Sequence, residues 1–239
     1  MAVAFRGFGT EAHASSGSIT PTLPTGGSAP QANDGGLLWV LNGSNDVLSV
    51  SGWTLARGYN LNATARVNLF YRLMTGGDAN PTITGATQDI QANTLIFSGV
   101  LTTGSFVGSI STDQTNSASL TVTALGITPG DADAMIAFFG AQYDTGASTS
   151  TFSGYSGTNP TFTEGFDNNF QGSTINTSIF GAYGAQSGAA AATGNRTATA
   201  TSSLVSAAYL VALIPDGGGG ATTWGPLLSL KNNRLVVSF

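Results

Sequence analysis

The chain has 239 residues, 8% of them charged, with a formal net charge of −5, one His, one Lys, two Glu and no Cys. An ordinary domain is about a quarter charged, so this surface is built from small neutral hydrogen-bonding groups, and a catalytic cluster has few ionisable residues to draw on. The lack of Cys excludes disulfides and thiolate metal sites, the lack of a basic run argues against nucleic acid, and no apolar stretch approaches the roughly 18 residues of a membrane span.

A 41% hydrophobic share excludes a wholly disordered chain. The opening MAVAFRGFGTEAHASSG has no basic start followed by an apolar block, so no secretory signal is expected. Residues 1–33 mix Gly, Ser and Thr without period and contain Pro21, Pro24 and Pro30, which predicts an extended N-terminal arm. Order is expected to begin at Asp34-Gly35-Gly36, which leads into Leu37-Leu38-Trp39-Val40-Leu41. Val47, Leu48, Val50, Trp53 and Leu55 supply the next strand material, and 65–73 alternates as a half-buried strand does. The turn at Thr75-Gly76-Gly77-Asp78 makes 81–85 (PTITG) the returning strand of a hairpin.

Further strands are predicted at 93–100, 105–111, 117–125 and 134–140. A loop rich in Ser, Thr, Gly and Asn follows over 144–176, then strands at 177–183, 196–202 and 207–214. Every run is short, rich in Val, Ile, Thr, Phe and Tyr, and bounded by Gly, Pro, Asn or Asp; none carries a helical stripe. This predicts an all-β, antiparallel, jelly-roll-like β-sandwich over 34–215. An internal echo supports it. From Gly35 and again from Gly130 an apolar strand is followed by a polar loop, an aromatic strand (VNLFYR, TSIFGAYG), a Gly turn and a Thr-rich return.

Past Pro215 the composition changes. Gly217–Gly220 reads as a linker, and 216–239 as a C-terminal docking arm with Lys231-Asn232-Asn233-Arg234 as a turn. Its apolar residues Trp224, Leu227, Leu228, Leu230, Leu235, Val236, Val237 and Phe239 are expected at an oligomer or capsid interface, adding to a neighbour's sheet or groove. Phe5 and Phe8 of the N-terminal arm are assigned to the same interface.

Chemistry is sparse. His13 reads as a solvated arm residue. Asp131 and Asp133 resemble the start of a calcium loop, but Gln142 stands where the closing Glu would be. No G-x-S-x-G and no Gly-rich loop followed by Lys-Ser/Thr occurs. No catalytic, cofactor or metal residue is assigned; Glu11, Glu164 and Asp167 are the acids a polysaccharide hydrolase would have to use. Tyr143, Tyr155 and Phe162, in an aromatic stretch with neighbouring amides, are the residues that could face a glycan.

GLLWV, SGWTLA, VNLFYRLMTGGDANPTIT, LIFSGV, TVTALGITPGDADAMIAFFGA and TGNRTATATSS…LVALIP together resemble a diffuse group of tailed-phage virion proteins with a jelly-roll or concanavalin-like sandwich. The resemblance covers roughly residues 34–215 and departs from the pattern at 144–176 and in the tail. It implies a non-enzymatic virion protein assembled in the host cytoplasm, of the capsid decoration or cement type. It also implies partners among copies of itself, with a trimer favoured, and the major capsid protein or other virion proteins. The alternative is a tail-fibre or adhesin module that binds host surface glycans.

Overall fold

Leu37-Leu38-Trp39-Val40-Leu41 is too continuously apolar for a strand with one wet face, and its surroundings explain it. A computed structural model describes residues 1–188 and 190–217, together with the backbone of 227–231 and 234–238. The first half contains β1 (Ala4–Phe8), β2 (Ala12–Ala14), β3 (Gly17–Ile19), β4 (Ala32–Asn42), β5 (Ser49–Val50), β6 (Thr54–Asn60), β7 (Arg66–Thr75), β8 (Ile83–Ala86) and β9 (Ile90–Ser98). The second contains β10 (Val107–Ile110), β11 (Thr115–Ala124), β12 (Met135–Asp144), β13 (Phe152–Ser153), β14 (Thr163–Gln171), β15 (Asn176–Ala185) and β16 (Arg196–Leu213). All their pairings are antiparallel. Two main sheets, β1-β9-β4-β7-β6 and β10-β16-β12-β15-β14, pack face to face.

Alternation along β4 sends Leu37, Trp39 and Leu41 between the sheets, where they meet Met135, Ala137 and Phe139 of β12. Leu38 and Val40 point the other way and are covered by Ile19, Leu48, Val50 and Ile83 around the small sheet β3-β8-β5. The second half repeats this arrangement. Ile136 and Phe138 of β12 point outward and are covered by Val122, Phe152, Ala198 and Ala200. Strands buried on both faces need apolar residues at every position. The Trp39 ring stacks on Phe139 at 5.4 Å, and its Nε1–H donates to the Gly140 carbonyl at 3.1 Å. A buried indole of this size removes about 200 Å² from water, an upper contribution of about 5 kcal/mol. Gly140 belongs in this strand because a Cβ there would stand 2.2 Å from the Phe180 ring.

Among the described residues the two halves share one strand order, nine strands in the first and seven in the second. β9-β4-β7-β6 corresponds to β16-β12-β15-β14, with β1 and β2 added to β9 as β10 and β11 are added to β16. The cover β3-β8-β5 corresponds to β11, β13 and the N-terminal part of β16, so β8 and β9 are fused into one long strand in the second half. Even the irregularities agree. β6 is bulged between Leu55 and Arg57, and β14 between Glu164 and Phe166, each directly after the strand's first two residues. Bulges re-aim a strand and mark equivalent positions. The contacts between halves are reciprocal, as about a two-fold axis: Phe5 of β1 stacks on Tyr183 of β15 at 3.9 Å, and Phe106, just before β10, meets Tyr71 of β7 edge-on at 5.5 Å. The echo seen in the sequence therefore falls on β4 with β12 and on β7 with β15.

Several expectations are corrected. Residues 1–33 are not an extended arm: β1 and β2 pair with β9, and β3 with β8. Residues 81–85 do not return onto 65–73; β8 leaves that sheet to pair with β3 and β5. The 144–176 stretch contains β13 and the nine-residue β14. The strands expected at 196–202 and 207–214 are one strand that serves a cover first and a main sheet afterwards. After β16 the chain returns to its beginning: Pro215 bridges Val100, the Asp216 N–H bonds the Gly99 carbonyl at 2.8 Å, and the terminal amine of Met1 bonds the Asp216 carbonyl. Beyond it, β17 (Leu227–Lys231) and β18 (Arg234–Ser238) form an antiparallel hairpin in which Lys231 pairs with Arg234.

Candidate functional site

The repeat also breaks at the β6–β7 hairpin, and a cleft lies there. Leu61 closes the β6–β7 hairpin by donating its N–H to the Ala65 carbonyl at 2.8 Å, leaving three residues, 62–64, at the tip. Asn is suited to such a tip: Asn62 Oδ1 accepts the N–H groups of Thr64 at 2.7 Å and Ala65 at 3.2 Å, and its Nδ2 donates to the Tyr143 hydroxyl. Tyr143 and Asp144 end β12, and Val205 is paired opposite Tyr143 on β16. The space they enclose is about 360 Å³. Its polar wall is Asn62, Thr64, Tyr143, Asp144, Thr145 and Ser203; Ala118, Leu204 and Val205 supply apolar surface. Asp144 Oδ2 accepts the Ser148 N–H at 2.9 Å, and burial pushes the Tyr143 phenol up, so it stays a neutral hydroxyl.

At the equivalent end of the first half the same space is filled. Phe170 pairs with Thr177 where Leu61 met Ala65, but six residues, 171–176, lie between them. This longer tip turns inward. Asp89, which stands where Val205 does, accepts N–H groups from Ser173 at 2.9 Å, Thr174 at 2.6 Å and Ile175 at 2.8 Å. Ile175 is buried against Gly43, the counterpart of Tyr143; a Cβ on Gly43 would stand 2.8 Å from Ile175 Cδ1. Burial opposes charge on Asp89, but the three N–H groups outweigh it and hold the carboxyl below the usual range.

Of the residues read from the sequence as glycan-facing, Tyr143 alone lines this cleft, and it offers a hydroxyl rather than a ring face because it is 7% exposed. Phe162 is 8% exposed within the second half's outer core, and the Tyr155 ring packs on Phe180 at 5.3 Å, so neither presents a stacking platform. Phe5 packs between Tyr183 and Phe97 and is half-buried, whereas Phe8 is 50% exposed. Trp224 and Phe239 lie outside the described residues, as do the side chains of Leu227, Leu228, Leu230, Leu235, Val236 and Val237. Asn62, Thr64 and Ser203 were not foreseen. An Asn-x-Thr tip between two strands was a turn signal, but its contact with a tyrosine 81 residues away was not.

The acids do not converge as one catalytic set. Glu11 accepts from Gln91 Nε2 at 2.7 Å and lies 3.1 Å from His13, whose ring stacks on Phe170 at 4.1 Å. His13 is thus solvated, with its side chain 48% exposed, but it sits on β2 and stacks across the seam between halves rather than lying in a free arm. Glu164 accepts the Tyr155 hydroxyl at 3.1 Å on the outer side of β14. Its neighbour Asp167 accepts the Phe152 N–H at 2.7 Å through Oδ2. Burial, against that bond and aided by the nearby Glu164 charge, pushes the Asp167 carboxyl up to about 6. The bond to Phe152 ties β14 to β13 and gives Asp167 a structural role. Among the described residues no group of three or more His, Cys, Asp or Glu is placed to hold a metal ion, and no helix is long and apolar enough to cross a membrane. No protein family, curated protein or solved structure matches this chain.

Proposed function

We propose that this chain is a non-enzymatic structural protein of a phage particle, a decoration or cement protein that binds the capsid lattice and copies of itself. The first half is jelly-roll-like: of eight consecutive strands β2–β9, the first, eighth, third and sixth share one sheet and the second, seventh and fourth share the other, while the fifth, β6, stays beside the sixth. Such rolls recur in viral capsid proteins, lectins and cupins, so the fold by itself does not choose among them. The observation that carries the reading is the segment beyond Asp216. Among the described residues it forms a two-stranded sheet, β17 with β18, and two strands are marginal in water without a further surface to cover them. Its sequence is Leu- and Val-rich, which suits addition to a neighbour. A surface with few charges gives crowded copies little mutual repulsion.

Light scattering on the full chain and on a chain ending at Gly217 tests this. The contacts of Val100, Gly99 and Met1 with Pro215 and Asp216 are retained in the shorter chain. A trimer that becomes a folded monomer, and that no longer binds assembled capsids, is the expected result. A full-length monomer that binds neither itself nor capsids overturns the proposal.

A further inference from the structure

We infer that the cleft between the 62–64 hairpin tip and the end of β12 binds a single neutral saccharide unit. The molecule supplies its own control. Two halves of shared strand order present the same site, and one is sealed by three additional hairpin residues, a buried carboxylate and a buried isoleucine. In the other the hairpin stops short, Asp89 is replaced by Val205, and about 360 Å³ stays open, at the lower end of the range for ligand sites. The open end is complete without a plug, because its tip N–H groups are already served by Asn62 Oδ1.

The lining selects the ligand class. The hydroxyls of Thr64, Tyr143, Thr145 and Ser203 and the carboxylate of Asp144 form a rim that can both donate and accept. Leu204 and Val205 give apolar surface on which a sugar's C–H face can rest. Among the described residues no Lys or Arg lines the cleft, and Asp144 disfavours anions. Phosphosugars, uronates and nucleotides are therefore poor ligands, and a neutral hexose or N-acetylhexosamine fits. This inference is independent of the assembly reading and of the C-terminal segment.

Amide NMR titration of the full chain with neutral hexoses, N-acetylhexosamines and glucuronate tests it. Saturable shifts confined to residues 62–64, 143–145 and 203–205 are expected with at least one neutral sugar. Glucuronate should bind at least about tenfold more weakly, and Asp144→Asn should narrow that gap. Ala118→Trp and Ser203→Trp each place a ring in the opening from an exposed position and should weaken binding by about tenfold or more, with circular dichroism unchanged. Tighter binding to an oligosaccharide than to its terminal sugar would identify a chain end as the natural source. No saturable shift with any neutral sugar, shifts elsewhere, or unaltered binding in both tryptophan variants overturns the inference.

Discussion

The sealed end of the first half and the open end of the second differ by a few residues on a shared framework. In one, Asp89, Ile175 and Gly43 act as a unit: the glycine makes room, the isoleucine fills it, and the carboxylate caps the chain that delivers the isoleucine. In the other, a tyrosine fills from the strand side and Asn62 meets the N–H groups of the hairpin tip. Hairpin length at one position thus decides whether a sandwich end becomes core or becomes a cleft. The polar group follows the loop: the Asp89 carboxylate is tolerated in full burial where three N–H groups meet it.

The comparison can be broken most forcefully at Asp89. Asp89→Ala leaves three N–H groups without their acceptor, that of Ile175 buried and those of Ser173 and Thr174 part-buried, and should cost about 2–4 kcal/mol in urea unfolding. A loss under about 1 kcal/mol would mean that water replaces the carboxylate freely and the end is not sealed. Ile175→Ala should cost about 2–4 kcal/mol by the cavity it leaves, and should make the two ends alike. Val205→Asp puts the sealing group into the open end. Since Asn62 already serves the tip, it should destabilise by about 1–2 kcal/mol, and stabilisation would refute the account of why the tips differ.

Titration separates the acids by sign. Asp89 is held low, so its contribution is present at neutral pH and is lost as pH falls below the usual carboxylate range. Asp167 is pushed up from 3.8 to about 6, so its contribution is present in acid and is lost as pH rises across that window. Asp167→Asn should flatten the decline between those limits while leaving the acid limb intact. An unchanged profile in that variant would show that Asp167 is not the group responsible. The smallest effect is expected for Tyr143→Phe, which removes one hydroxyl bonded to Asn62: about 1 kcal/mol or less, read from the thermal midpoint.

Much of the strand content was legible because doubly buried strands announce themselves. LLWVL, MIAFFGA and AAYLVAL are continuous apolar runs, and β4, β12 and the second part of β16 lie where they predict. What such runs also implied, a cover on each outer face, had to be drawn from segments that look like linkers. β3 is Gly-Ser-Ile and β13 is Phe-Ser, and neither has a period long enough to read. β14 carries Thr163-Glu164-Gly165 and an Asn pair at 168–169, which resembles a loop because its bulge interrupts the alternation and its edge position exposes it. The aromatics of 152–162 were visible as a group, but a group of rings looks the same in sequence whether it faces water or caps a core.

Composition and local pattern by themselves determined an all-β, antiparallel chain of low charge with two related segments, because turn chemistry and side-chain alternation are properties of neighbouring residues. Tertiary structure alone decided that the first nineteen residues belong to the sheets, that the halves stack through Trp39 and Phe139, and that one end is filled while the other is open. Those outcomes depend on pairings such as Asp89 with Thr174 and Asn62 with Tyr143, 85 and 81 residues apart. Hydrogen bonds and contacts at that separation are set by where the sheets place their ends, and no local pattern encodes them.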